Sequence, residues 1–147
     1  MNDNKAFIDT NIFIYTQRTD SPGKRVIAEN VINQFNCVAS TQVLNEIANV
    51  FTKKYPMPIE KVECLIKSIC EISEIVIIDD VLIIKALNLQ SKYKVSYFDC
   101  LMIAAAIDSD CKYLLTEDMQ DGIVIDNTIK IISIFNHIDL IPETKNT

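Results

Sequence analysis

Short apolar runs alternate along the chain with longer stretches in which apolar residues return at helical spacing. The runs at residues 6–8, 37–39, 75–78, 113–115 and 130–134 predict five strands. Four of them are continuously apolar, the pattern of strands covered on both faces. The intervening stretches carry helix signals. Ser21 followed by Pro22 is an N-cap with a proline in the first turn, ahead of Val26, Ile27, Val31 and Ile32. Ser40 precedes a stripe of Val43, Ile47, Val50 and Phe51, and beyond Pro56 and Pro58 the residues Ile59, Val62, Ile66 and Ile69 repeat at helical spacing. Asp79 or Asp80 opens a helix ending near Tyr93, and Ser96 caps one that runs to about Asp108. The predicted order is β-α-α-β-α-α-β-α-α-β-α-β, an α/β domain with a mainly parallel sheet.

The length of 147 residues suits one domain, expected over residues 1–141, with a short tail over 142–147 whose last residues, from Glu143, fray. A content of 49% hydrophobic residues with two glycines and four prolines is that of a packed core and excludes a disordered chain. No apolar run approaches the roughly 18 residues that span a bilayer. The first residues lack a basic segment followed by an apolar one, so a cytoplasmic protein with no membrane partner is expected. The five cysteines, odd in number and without CxxC spacing, read as small buried hydrophobes in a reducing compartment.

Charge narrows the chemistry. A net charge of −6 argues against nucleic-acid binding through bulk positive charge. A single histidine, His137, disfavours histidine triads, histidine-rich zinc sites and paired-histidine ribonuclease chemistry. Any catalysis falls to the acids.

Those acids recur in related places. Asp9 follows the first strand in Phe7-Ile8-Asp9-Thr10-Asn11, where a parallel sheet places its active site, although an N-cap would also use an aspartate there. Glu46 lies beside the apolar stripe of its helix, a position equally suited to a solvated rim. Asp99 comes three residues after Ser96, in capping-box spacing, and opens a helix apolar nearly all round. Leu115-Thr116-Glu117-Asp118 ends another buried strand in a hydroxyl and carboxylates, and Asp121 ahead of Gly122 reads as a turn residue. Four acids directed to one end of a sheet form a constellation that no single one of them makes. Clustered carboxylates repel unless a cation neutralises them, and hard cations such as Mg²⁺ or Mn²⁺ take oxygen ligands and activate water against phosphodiesters. Lys53 and Lys54, and Lys92 and Lys94, precede or follow acid-bearing segments and are candidate contacts to a nucleic-acid backbone, or else ordinary helix-end lysines.

Taken together, Phe7-Ile8-Asp9-Thr10-Asn11, Leu44-Asn45-Glu46-Ile47, the stretch from Ser96-Tyr97-Phe98-Asp99 through Ala106, and Leu115-Thr116-Glu117-Asp118 resemble the four successive motifs of the PIN-domain nucleases. Among these the resemblance is to the VapC-like ribonuclease toxins of toxin–antitoxin pairs. It implies a three-layer α/β/α sandwich and RNA cleavage dependent on Mg²⁺ or Mn²⁺. It further implies metal binding by Asp9, Asp99 and Asp118, with Glu46 as a further catalytic acid and Thr10, Asn11, Thr116 and Glu117 in support. A homodimer and an inhibiting antitoxin are the partners it implies. Glu117 and Asp118 are adjacent, so either could face an ion; Thr-x-Asp spacing favours Asp118. Two rivals are weighed beside it. An aspartyl-nucleophile phosphatase would need a second aspartate where Asn11 stands. A non-catalytic RNA- or protein-binding module of the same fold would retain the architecture without turnover.

Overall fold

The computed structural model describes residues 4–136; His137 and the expected tail lie outside them. Six strands form one sheet in the order β3-β2-β1-β4-β6-β5. They are β1 (Lys5–Ile8), β2 (Asn36–Ser40), β3 (Ser73–Val76), β4 (Tyr113–Thr116), β5 (Val124–Ile125) and β6 (Ile129–Ser133). All neighbours are parallel except β5, which runs antiparallel to β6. The helices are α1 (Thr10–Tyr15), α2 (Pro22–Gln34), α3 (Thr41–Lys53), α4 (Ile59–Ile72), α5 (Asp80–Tyr93) and α6 (Tyr97–Asp108). α1 to α4 pack among themselves, whereas α5 packs on α6 and α6 lies across β1, β2, β4 and β6. The sheet is the middle layer.

The chain leaves β1 towards β2 and β3, then returns to the other side of β1 to lay down β4 and β6. The direction of winding therefore reverses between β1 and β4, and a crevice opens beyond the carboxyl ends of those two strands. Asp9 follows β1 and Glu117 follows β4, so the topology brings two of the candidate motifs to that crevice.

Local signals set the helix starts as expected. Ser40 Oγ accepts from the Val43 N–H, an Asp79 carboxylate oxygen from Leu82 and Ser96 Oγ from Asp99. Ser21 occupies its N-cap position but makes no side-chain capping bond, leaving Pro22 to begin α2. α5 stops at Lys94, whose φ of 58° is left-handed.

Three expectations are corrected. β3 begins two residues before the apolar run at 75–78 and has no buried residue, because it forms the sheet edge. No helix separates the last two parallel strands. The segment instead turns at Gly122 (φ 86°) and again at Asp126 and Asn127, both left-handed, which folds β5 back on β6. Of the cysteines, Cys37, Cys100 and Cys111 are buried as expected, whereas Cys64 and Cys70 are exposed on α4.

Core apolar residues concentrate on β1, β4 and α6, where Ala6, Phe7, Ile8 and Leu114 are fully inaccessible and Cys100 to Ala106 are all buried. No helix among the described residues is long and apolar enough to cross a membrane. Phe7→Ala should cost about 3–5 kcal/mol, since it empties a fully enclosed site between two paired strands. Urea unfolding checks this; a loss below 1 kcal/mol would contradict the packing.

Candidate active site

Asp9 is held at its backbone and at both carboxylate oxygens. Its N–H donates to Leu115 O (3.0 Å), tying the start of α1 to β4. Oδ1 accepts from the Thr10 N–H (2.6 Å) and Oδ2 from the Thr116 hydroxyl (2.7 Å). The N-cap contact expected of Asp9 is present, and the same side chain lines an open cleft. Burial pushes the Asp9 carboxyl up to about 6; the bonds from Thr116 and Thr10 oppose that rise, and the nearby Asp99 and Glu46 add to it.

Glu46 faces the same space from α3. One of its oxygens accepts from the Thr10 hydroxyl and the other from Gln42 Nε2 (3.1 Å), so it is a fixed group and not a solvated rim. Gln42 also donates to Phe98 O (3.2 Å), linking α3 to the start of α6. There Asp99 sits half-buried in the first turn. Asp118 is exposed, with its N–H directed to Thr116 Oγ1 (3.3 Å) and Asn11 Nδ2 3.5 Å from one of its carboxylate oxygens. Asp9, Glu46, Asp99 and Asp118, together with Thr10 and Asn11, line one open cleft of about 360 Å³ that no lysine or arginine lines.

Glu117 points elsewhere. It accepts from Tyr15 Oη and from Lys24 Nζ, each at 2.8 Å, and does not line the cleft. Asp121 accepts from the Ser133 N–H (2.8 Å), in keeping with a loop role. The lysines proposed to flank the acids do not line the cleft either. Lys92 pairs with Asp126 (2.9 Å) beside the β5–β6 turn, and Lys54 lines a neighbouring cleft. Sequence reading gave Gln42 no role, although its spacing of four from Glu46 places both on one helix face. Asn49, Phe98 and Met102 also line the cleft without having been singled out for it.

The donor set is entirely oxygen, which suits a hard divalent cation. Among the described residues no three acidic, histidine or cysteine side chains converge tightly enough to grip an ion by themselves. The arrangement therefore fits a cation held by one or two carboxylates with water completing its shell, the habit of Mg²⁺.

A family model for the PIN domain matches residues 6–120, the span from β1 to just beyond Asp118. The chain belongs to the PIN domain family. No curated protein matches its sequence significantly. Solved structures superpose along most of this PIN domain. A chain of a toxin–antitoxin complex from Klebsiella pneumoniae is 19% identical, with a TM-score of 0.64 over 86% of this chain and 95% of that one. A chain of VapBC2 from Rickettsia felis, bound to a promoter DNA fragment, is 16% identical with a TM-score of 0.62 over 86% and 98%. VapC20 of Mycobacterium tuberculosis, described as a toxin that cleaves the sarcin–ricin loop, is 12% identical with a TM-score of 0.62 over 74% and 86%. At such identities the likeness establishes the fold, and the PIN sandwich expected from the motifs is the one observed.

Proposed function

We propose that this PIN domain protein is a metal-dependent endoribonuclease and the toxin of a toxin–antitoxin pair. The supporting observation is the gathering of Asp9, Glu46, Asp99 and Asp118 into one cleft at the point where the winding of the sheet reverses. One or two of Asp9, Asp99 and Asp118, the acids the motif resemblance names as ligands, would hold Mg²⁺ or Mn²⁺, with water completing its shell. A bound ion supplies a water activated for attack on phosphorus and offsets charge on the phosphate. The protein's own groups set the stage for that chemistry. Thr116 and the Thr10 N–H fix the Asp9 carboxylate, and Asn11 steadies Asp118. Glu46, held by Thr10 and Gln42, takes the proton from the attacking water. The new bond joins water oxygen to phosphorus as the P–O3′ bond breaks, the leaving O3′ takes a proton from solvent, and the products carry a 5′-phosphate and a 3′-hydroxyl.

End mapping of cleaved RNA tests this chemistry. Purified protein incubated with mixed cellular RNA should cut with Mg²⁺ or Mn²⁺, stop with chelator, and leave 5′-phosphates. Cyclic phosphates, the product of attack by a neighbouring 2′-hydroxyl, or cleavage that survives chelation would overturn it.

An antitoxin partner is proposed from the likeness to chains described as parts of toxin–antitoxin, VapBC and FitAB complexes. On this chain Val81, Ile84 and Leu87 stand exposed at successive turns of α5, an apolar strip suited to a protein partner, and we assign it to a homodimer. We place the protein in the cytoplasm, where its free thiols stay reduced.

A further inference from the structure

The acidic cleft solves the chemistry but repels the substrate, since four carboxylates line it and no cation does. Phosphate attraction must come from beside it. α3 points to where. Gln42, Glu46, Val50 and Lys54 follow at intervals of four along this helix, a row of about 18 Å. At its start Gln42 holds the backbone of Phe98, in the middle Glu46 and Val50 line the acids, and at its end Lys54 lines a second cleft, of about 390 Å³, with Arg18 and Tyr55.

Each end of this row carries groups able to meet a nucleic acid, an exposed aromatic ring at one and two cations at the other. Phe98 is 61% exposed and lines the acidic cleft, which leaves its ring open to a base laid over the acids. Its backbone is fixed by Gln42 and its ring meets Tyr97 edge-on, with centroids 5.2 Å apart. At the other end the Arg18 guanidinium lies 5.0 Å from the Tyr15 ring centre and 5.1 Å from that of Tyr55, and Lys54 Nζ lies 5.5 Å from Tyr55. The rings hold the cations in place. Arg18 is paired bidentately with Asp20 at 2.7 and 2.9 Å; the Arg18 side chain is 21% exposed and that of Asp20 61%, so the carboxylate is the half of the pair that a competing anion can replace from solvent.

We propose that α3 underlies a track for single-stranded RNA, with an unstacked base resting on Phe98, the scissile phosphate over the acids, and a later phosphate on Arg18 and Lys54. The assignment rests on the nuclease reading for the direction of the strand across the acids. The aromatic platform requires an unpaired base, so the track takes a loop or an end and not a duplex. Asp20 is then a competitor for Arg18 that the RNA backbone displaces.

Fluorescence anisotropy of a labelled oligouridylate, in chelator and low salt so that cleavage is silent, measures the track directly. Phe98→Leu should weaken binding on the order of tenfold. Lys54→Gln should weaken it severalfold and flatten the salt dependence by about 0.7 in the log–log slope, the loss of one phosphate contact. Asp20→Asn should tighten binding severalfold, because it frees Arg18; a merely structural Arg18–Asp20 pair would give no gain. All three positions are exposed, so the variants should melt with the parent protein. Parent protein that fails to bind, that prefers a duplex, or that shares its affinity with all three variants overturns the track. Should the track variants bind like the parent while metal-dependent cleavage is intact, the track falls and the nuclease reading stands. RNA binding that follows the stated pattern without cleavage of any RNA would uphold the track and remove the nuclease reading.

Discussion

Asp9→Asn should yield a protein that is more stable than its parent and inactive. In the folded chain the Asp9 carboxyl titrates at about 6, against 3.8 for an unperturbed group. Between those values the folded state holds a proton that the unfolded state has lost. Stability therefore falls as pH rises from about 4 to about 6, and the cost stands in full above that range. The gap corresponds to about 3 kcal/mol at neutral pH. Asparagine keeps the shape without the charge, but one accepting oxygen becomes a donor facing Thr116, whose hydroxyl must turn to accept. That loss leaves a net gain of about 1–2 kcal/mol. The melting temperature of metal-free protein at pH 8 should accordingly rise by several degrees, and the advantage should shrink towards pH 4. Added Mg²⁺ should stabilise the parent and not the variant, because the proposed ion site uses the native carboxylate. RNA cleavage should fall by more than about a hundredfold, beyond the loss typical of a supporting group. A variant that melts below its parent at pH 8, or that still cleaves, would show that Asp9 is an ordinary helix cap.

Much of this site is legible in the sequence. β1 and β4 are covered on both faces, so their sequences are continuous apolar runs, and an acid placed directly after such a run stands out. α6 is legible for a similar reason, as its apolar residues surround the helix and Cys100 to Ala106 are buried. What escaped reading lies at the sheet margins. β3 is predicted from the apolar run at 75–78 but begins at Ser73 and Glu74 on the open edge, β5 is only two residues long, and the loop after β4 obeys left-handed turn residues that a pattern of alternating strands and helices overrides. The lysines show a different limit. Lys92 precedes Asp99 by seven residues in the sequence, yet α5 directs it to Asp126 on the far turn. Proximity along the chain did not become proximity in space. Arg18, which lines the neighbouring cleft with Lys54 and Tyr55, carried no sequence signal at all.

The adjacent acids Glu117 and Asp118 test how far the site can be resolved into separate roles. Their side chains diverge after β4. Asp118 lines the cleft with Asn11 near it, whereas Glu117 is fixed by Tyr15 Oη and Lys24 Nζ and faces away. Asp118→Asn should therefore remove cleavage by about a hundredfold or more while leaving the melting temperature close to that of the parent, since the side chain is exposed and its single bond is long. Glu117→Gln should do the reverse. Lys24 is nearly half exposed, so the lost ion pair costs under about 1 kcal/mol, and the weakened acceptor for Tyr15 adds about as much again. Its cleavage rate should stay within about threefold of the parent, because a stability change of that size leaves the folded population almost whole. Rates and melts of the two variants, taken side by side with saturating Mg²⁺, decide the matter. If Glu117→Gln silences the enzyme and Asp118→Asn does not, the loop must reorganise when RNA and metal bind, with Lys24 releasing Glu117 into the cleft.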